Sequence, residues 1–367
     1  MEILLIGTVL FTSIPKNVFA FEKPVERLWG NNRYETAKAI SSRFSNSEVV
    51  ILVTGENYPD ALTSTPLAKK YDDPILLTEK DKLNINVLKE LQRLNTKKVI
   101  IVGGTGVVGE QVEKELKRNN IYVERIEGKD RYDTSIKVAK EVGLNNGVFV
   151  ATGEGFADAL GLGTIAGNLQ MPIILTAKNS INKSIEEFLN NNIVNKSYIV
   201  GGVGVVSNNV ANNFPNSERI EGKDRYETNK ALINKFKDNI NFSNGYVAIG
   251  TNFLDALAGG SLAVKNRNPI ILTSVNPISA TKDIVKNVDK ITVLGGEGVI
   301  SQNTINKLLD NTAPDVNKPA PAERVYVTKY GKAFHRIENC SNMKKPILLS
   351  REEAISKGYK PCGVCEP

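Results

Sequence analysis

The chain has 367 residues, which at roughly 100–200 residues per domain excludes a single small module and allows two to four domains. A hydrophobic content of 41% with 24% charged residues excludes wholesale disorder and a multi-span membrane protein. The net charge of +7 is uneven, because nine Lys and Arg against five Asp and Glu from Glu323 onward leave the preceding residues nearly neutral. One histidine and three cysteines occur, all between His335 and Cys365. Ser-His-Asp, Cys-His and His-ligated zinc chemistry is therefore out of reach before His335, where carboxylates, hydroxyls and backbone amides are the available tools.

Residues 3–14 form an apolar run too short to span a bilayer. With Pro15 and the small-residue pattern ending at Ala20, residues 1–20 read as a signal peptide, although Glu2 stands where Lys or Arg is usual. The expectation is a secreted chain with no transmembrane segment after cleavage.

Three copies of one unit follow. Arg27-Leu28-Trp29-Gly30 with Arg33-Tyr34-Glu35-Thr36 returns as Arg125-Ile126-Glu127-Gly128 with Arg131-Tyr132-Asp133-Thr134, and as Arg219-Ile220-Glu221-Gly222 with Arg225-Tyr226-Glu227-Thr228. Asp-Ala-Leu begins at Asp60, Asp158 and Asp255; Pro-Ile-Leu-Leu-Thr at 74–78 is matched from Pro172 and Pro269; Gly103-Gly104, Gly201-Gly202 and Gly295-Gly296 complete each copy. A period this long exceeds solenoid repeats of about 20–50 residues, so each copy is expected to be a small domain. The boundaries are 25–122, 123–216 and 217–311. Val49 to Val53, Ile75 to Leu77 and Val99 to Val102 read as strands buried on both faces, whereas Ala37, Ile40 and Phe44, then Ile85, Leu88 and Leu91, then Val112 and Leu116 have helical spacing. Strand and helix in alternation predict an α/β fold of three Rossmann-like parallel-sheet repeats. The repeated residues fall at the carboxyl ends of strands, where open α/β sheets bind ligands.

Gly104-Thr-Gly106-Val-Val-Gly109, with Glu124 beyond it, fits the dinucleotide pattern, but the other copies have Ser207 and Ser301 at the third glycine. A structural turn onto a helix is the favoured reading, and no nicotinamide cofactor is expected. Asp60, Asp158 and Asp255 are candidate helix caps or acceptors for sugar hydroxyls. Arg33, Arg131 and Arg225 are either structural or forks for an anionic group, and the Thr three residues after each is expected to cap the helix.

This motif set resembles the type 2 cell-wall-binding repeat of surface proteins of Gram-positive bacteria, over about residues 25–312. The resemblance implies a pseudo-threefold arrangement and non-covalent anchoring to the cell wall through an anionic secondary polymer, with no catalysis. The polymer-binding candidates are Arg27, Arg33, Asp60, Arg125, Arg131, Asp158, Arg219, Arg225 and Asp255. Two departures stand out: Gly250-Thr251 where Thr-Gly is expected, and Trp29 where the other copies have Glu. A wall hydrolase using Asp60, Asp158 and Asp255 is the alternative, although no paired acids are visible within a copy.

A Pro-rich linker, 312–323, leads to a tail, 324–367, in which His335, Cys340, Cys362 and Cys365 have the spacing of a Cys3His zinc site. The tail is similar to the zinc module of the methyl-phosphotriester DNA repair protein. A zinc-stapled module is expected, its basic residues free for an acidic partner, nucleic acid being one possibility. The alternative is a Cys362–Cys365 disulfide that strands Cys340.

Overall fold

The computed structural model describes residues 23–310, 324–328, 331–335 and 346–362, in two units divided after Asn311. The expected leader and linker, and Cys340 and Cys365, lie outside the described residues.

Among the described residues the first unit holds twelve strands: β1 Val25–Leu28, β2 Val49–Thr54, β3 Ile75–Thr78, β4 Lys98–Val102, β5 Tyr122–Ile126, β6 Val148–Thr152, β7 Ile173–Thr176, β8 Ser197–Val200, β9 Ser217–Ile220, β10 Gly245–Ile249, β11 Ile270–Thr273 and β12 Ile291–Leu294. They form three parallel four-stranded sheets ordered β3-β2-β4-β5, β7-β6-β8-β9 and β11-β10-β12-β1. The aliphatic runs take the inner positions because helices cover both faces, and Val50–Val53 and Val99–Val102 are wholly buried.

The fourth strand of each sheet changes the expected picture of self-contained copies. β5, which opens the second sequence copy, pairs with β4 of the first, and β9, which opens the third, pairs with β8 of the second. Each copy thus gives its opening strand to the sheet before it. A four-residue strand reads the same whichever edge it joins, so apolar patterning could not reveal this phase. By the same rule the third sheet lacks a fourth strand from its own end of the chain. β1 supplies it, pairing in parallel with β12 from Val25↔Ile291 to Leu28↔Leu294. The ring of three sheets is closed without a covalent link, by backbone bonds such as Ile291 N–H to Pro24 O (3.0 Å) and Gly295 N–H to Leu28 O (2.9 Å).

Helices Ser64–Tyr71, Leu162–Asn168 and Leu254–Lys265 meet at the pseudo-threefold axis. Small residues let them approach: a Cβ added to Gly163 or Gly260 would come within 2.9 or 2.7 Å of the Thr65 side chain. The centre leaves no room for a water molecule. Above it Tyr58, Phe156 and Phe253, one from each copy, form a triangle with ring centroids 5.4–5.8 Å apart, mostly edge to face. Among the described residues no helix is long and apolar enough to cross a membrane.

The second unit pairs β13 Arg324–Val327 antiparallel with β15 Ile347–Ser350, and β14 Ala333–Phe334 parallel with β16 Lys360–Pro361. Val325, Val327, Phe334 and Ala354 make its small core.

Candidate functional site

In every sheet the chain order reverses across the first strand of its set: β2 is followed by β3 on one side and β4 on the other. The carboxyl ends of β2 and β4 therefore flank a switch point, where a crevice opens. Asp60 follows β2 and Gly103-Gly104 follows β4. The third wall comes from residues 127–134, where the chain leaves β5 and crosses to the next sheet.

That crossing segment is fixed by local hydrogen bonds. Asn32, Asp130 and Asp224 are the N-caps of helices Arg33–Ser41, Arg131–Val142 and Arg225–Lys235, each accepting from the next two backbone N–H groups but one. The threonine expected to cap does something else: Thr36, Thr134 and Thr228 accept from the N–H of Gly30, Gly128 and Gly222 (3.0–3.1 Å). Glu35, Asp133 and Glu227 accept from the residue between. Asx chemistry wins the cap because the shorter side chain reaches two amides at once. These helix N-termini therefore spend their amides within the chain.

The arginines of the two motifs are held in different places. Arg27 donates to Gly295 O (2.7 Å) and Ile300 O (2.8 Å), Arg125 to Gly103 O (2.8 Å) and Val108 O (3.0 Å), and Arg219 to Gly201 O (2.7 Å). These three pin the Gly-Gly loop of the preceding copy to the strand beside it. Arg33, Arg131 and Arg225 each give one N–H to the carbonyl of Gly55, Gly153 and Gly250; Arg131 lines the crevice with Asp60, and Arg33, together with Arg27, the crevice with Asp255. Arg225 also stacks over Phe156 (5.8 Å).

Gly250 thus occupies the place of Gly55 and Gly153, with the tyrosine of its own copy packed against it in each case. The apparent reversal at Gly250-Thr251 is instead a replacement of Thr54 and Thr152 by Ile249. Those threonine hydroxyls accept from the N–H of Glu56 and Glu154 (3.1 Å each), and isoleucine cannot.

Asp60, Asp158 and Asp255 lie in or beside the helix that follows the first strand, but none is its cap; Tyr58 and Phe253 hold the N-cap positions ahead of Asp60 and Asp255. Each carboxylate faces the first glycine of the Gly-Gly pair, where an added Cβ would stand 2.9, 3.1 and 2.5 Å from Oδ2. Those glycines also have φ of +118°, +99° and +96°, so side chains are excluded twice over. Burial pushes the Asp60 carboxyl above its ordinary range, opposed by the Thr134 hydroxyl and the Arg131 guanidinium of the next copy. Burial does the same to Asp255, opposed by Arg33. Asp60 Oδ1 is buried with no hydrogen-bond partner among the described residues.

Sequence reasoning missed several residues at these crevices. The second glycine of each pair lies under the side chain at position 127 or its equivalents: an added Cβ would be 3.2 Å from Oε2 of Glu127 at Gly104 and of Glu221 at Gly202, and 3.5 Å from Trp29 Cε3 at Gly296. The crevice with Asp60 encloses about 380 Å³ and that with Asp255 about 740 Å³. Carboxylates of neighbouring copies, Asp60 with Glu127 and Asp130, do share a crevice. The aromatic triangle was also missed, although Tyr58, Phe156 and Phe253 each stand two residues before a repeated Asp.

The dinucleotide pattern dissolves in the same geometry. Gly109, Ser207 and Ser301 are helix N-caps, the serines accepting from Val210 and Thr304 N–H, while Glu124 is paired with Lys98 (2.6 Å).

Over residues 27–113, 125–211 and 219–305 the sequence matches the family described as Cell wall binding domain 2 (CWB2). The chain belongs to the CWB2 family. It is 34% identical over 309 residues to N-acetylmuramoyl-L-alanine amidase LytC of Bacillus subtilis (strain 168), covering 83% of this chain and 61% of LytC. It is 33% identical over 297 residues to the amidase enhancer of the same organism, covering 78% and 40%. Among solved structures, Cwp6 from Clostridium difficile superposes with a TM-score of 0.72 at 31% identity, over 84% of this chain and 51% of that one. Cwp8 from the same organism gives 0.70 at 31% identity, over 78% and 51%. This CWB2 chain spans less than two thirds of the length of each of these relatives.

In the second unit, His335 and Cys362 are buried, and the Cys362 N–H donates to the carbonyl of Phe334 (3.1 Å). Two of the four expected zinc ligands thus leave neighbouring strands. Among the described residues no cluster of three ligand-type side chains is assembled.

Proposed function

We propose that the ring anchors its chain non-covalently to the bacterial cell wall by holding an anionic secondary wall polymer, one with sugar hydroxyls, along the rim of its three repeats, without cutting it. The observation that supports this most is the repetition: a carboxylate faces a Gly-Gly loop at all three junctions, and at those of Asp60 and Asp255 an arginine from the next copy lines the same crevice. Attachment gains from several weak equivalent contacts, whereas a hydrolase needs one good site. Within this reading Asp60, Asp158 and Asp255 accept from sugar hydroxyls, and Arg33, Arg131 and Arg225 meet the anionic groups of the polymer. Arg27, Arg125 and Arg219 act indirectly, by holding the Gly-Gly loop. The location that follows is the cell surface.

The test is co-sedimentation of the full chain with purified walls, before and after acid removal of the secondary polymer, with released sugar and peptide measured in the supernatant. Retention that disappears with the polymer, and no release, is the expected result. Retention on stripped walls, or steady release, would overturn it. The release measurement bears on the carboxylate pair of Asp60 and Glu127, the one observation that favours hydrolysis.

The second unit is proposed to be stapled by one zinc ion on His335, Cys340, Cys362 and Cys365. Bound zinc would reinforce the small core of Val325, Val327, Phe334 and Ala354. Buried His335 and Cys362 on neighbouring strands fit that donor set. Lys344 and Lys345 are the basic residues proposed to meet an acidic partner. Elemental analysis of the full chain purified without added metal should give one zinc per molecule; a zinc content near zero would favour the disulfide.

A further inference from the structure

The three crevices differ, and the difference is concentrated at the junction closed by β1. There Trp29 replaces the glutamate of the other copies, Asn31 replaces Lys129 and Lys223, and Asn32 replaces Asp130 and Asp224. Trp29 is 53% exposed, although its indole edge packs over Gly296 at the spot that Glu127 and Glu221 take in the other copies. The crevice beside it is the larger of the two measured, about 740 Å³ against 380 Å³. It is lined by Asp255 and Glu297, by Arg27 and Arg33, and by Asn31 and Asn252.

We propose that this junction is a pyranose-binding subsite in which a sugar ring of the wall polysaccharide stacks on the indole of Trp29. An exposed indole costs free energy in water, and an apolar face bordered by carboxylates, amides and a guanidinium matches one ligand class well. A pyranose presents an axial C–H face to an aromatic ring and equatorial hydroxyls, both donor and acceptor, around its edge. The two glutamate crevices have no such platform and bind a hydroxyl-rich or charged portion of the chain by polar contacts alone. The junction therefore selects the sugar, and the other two add avidity. This inference rests on the wall-anchoring reading.

Trp29 is the single tryptophan of the chain, so its emission reports on this crevice alone. The experiment uses the full chain and polysaccharide released from walls by acid, split by anion exchange into neutral and anionic fractions. At least one fraction should shift the emission to the blue and reduce acrylamide quenching. Trp29→Glu, which installs the residue of the other two copies and should fold, is expected to weaken wall retention by roughly fivefold or more, with Trp29→Phe in between. Unchanged emission and quenching at polymer concentrations that saturate retention, or full retention by Trp29→Glu, would overturn the subsite while leaving anchoring intact. Failure of the unaltered chain to sediment with walls would instead overturn the anchoring reading, and the subsite with it.

Discussion

Replacing Arg27 with alanine tests whether the ring is closed as described. The guanidinium makes two bonds, to Gly295 O and Ile300 O, at 2.7 and 2.8 Å. Hydrogen bonds to a charged group contribute about 1.5–3 kcal/mol each, and the half-buried position of Arg27 favours the lower end, so the pair contributes about 3 kcal/mol. For a unit of this size that corresponds to a fall in Tm of roughly 5–10 °C. Arg125→Ala removes an equivalent pair of bonds, to Gly103 O and Val108 O, and an ion pair with Glu113 (3.1 Å). The two variants should nevertheless differ in where the loss appears. β5 remains covalently joined on both sides to elements of the ring, whereas β1 is tethered to it on one side only, through residues 29–32. In Arg27→Ala, amide exchange should therefore rise along β12, from Ile291 to Gly295, well before global unfolding. In Arg125→Ala, β4 should keep most of its protection. Equal exchange at β12 and β4 in the two variants, or a stability loss below about 0.5 kcal/mol in Arg27→Ala, would refute non-covalent closure as the weak point.

Further outcomes follow from single positions. Burial pushes the Asp73 carboxyl up to about 6, so its protonated form is favoured by folding: its contribution is complete at low pH and lost as pH rises through 6. Asp73→Asn should therefore stabilise the chain at pH 7.5, by at most about 3 kcal/mol, and a gain of the same size below pH ~4 would contradict this. Asp224→Ala should lower stability by about 1 kcal/mol in denaturant titrations, since it removes two cap bonds (2.9 Å each). Gly103→Ala should cost about 1–3 kcal/mol, from its φ of +118° and from contact with Asp60; a neutral substitution would mean that the loop yields freely. Alanine at any one of Arg33, Arg131 and Arg225 should weaken wall retention modestly, and the triple variant far more. Full retention by a folded triple variant would make these arginines purely structural.

Much of this is legible in the amino-acid sequence itself. The wholly buried runs at 50–53 and 99–102 announce their strands because nothing polar interrupts them, and the first glycine of each Gly-Gly pair marks a rim where a Cβ has no room. Helical faces were read less well. Ile85 fits the spacing of Leu88 and Leu91 but is 57% exposed, because the helix Ile85–Arg93 turns Val87 and Leu91 inward instead. The partner of each opening strand was illegible, since Val-Glu-Arg-Leu carries no mark of the edge it will meet. The crevices were half visible for the same reason. Asp60 and Gly103 belong to one copy and could be paired by eye, but Glu127 and Arg131 arrive from the next. The carboxylates of one crevice therefore lie far apart in sequence, and within-copy reasoning could not see them together.

Both ends of the ring are moored to one helix, Ser279–Asn287. The Lys23 ammonium donates to Val285 O (2.7 Å), and Asp310 is ion-paired with Lys282 (2.5 Å). Such a body is portable: the residue that enters it and the residue that leaves are both held by the same helix, within one turn of each other, so it asks for no long span in a host polypeptide. Nothing in it must be re-engineered for a new host, since its last sheet is finished by its own first strand. A self-closed body of this kind can sit beside other segments in a longer chain, in keeping with a match that takes up only part of LytC and of Cwp6.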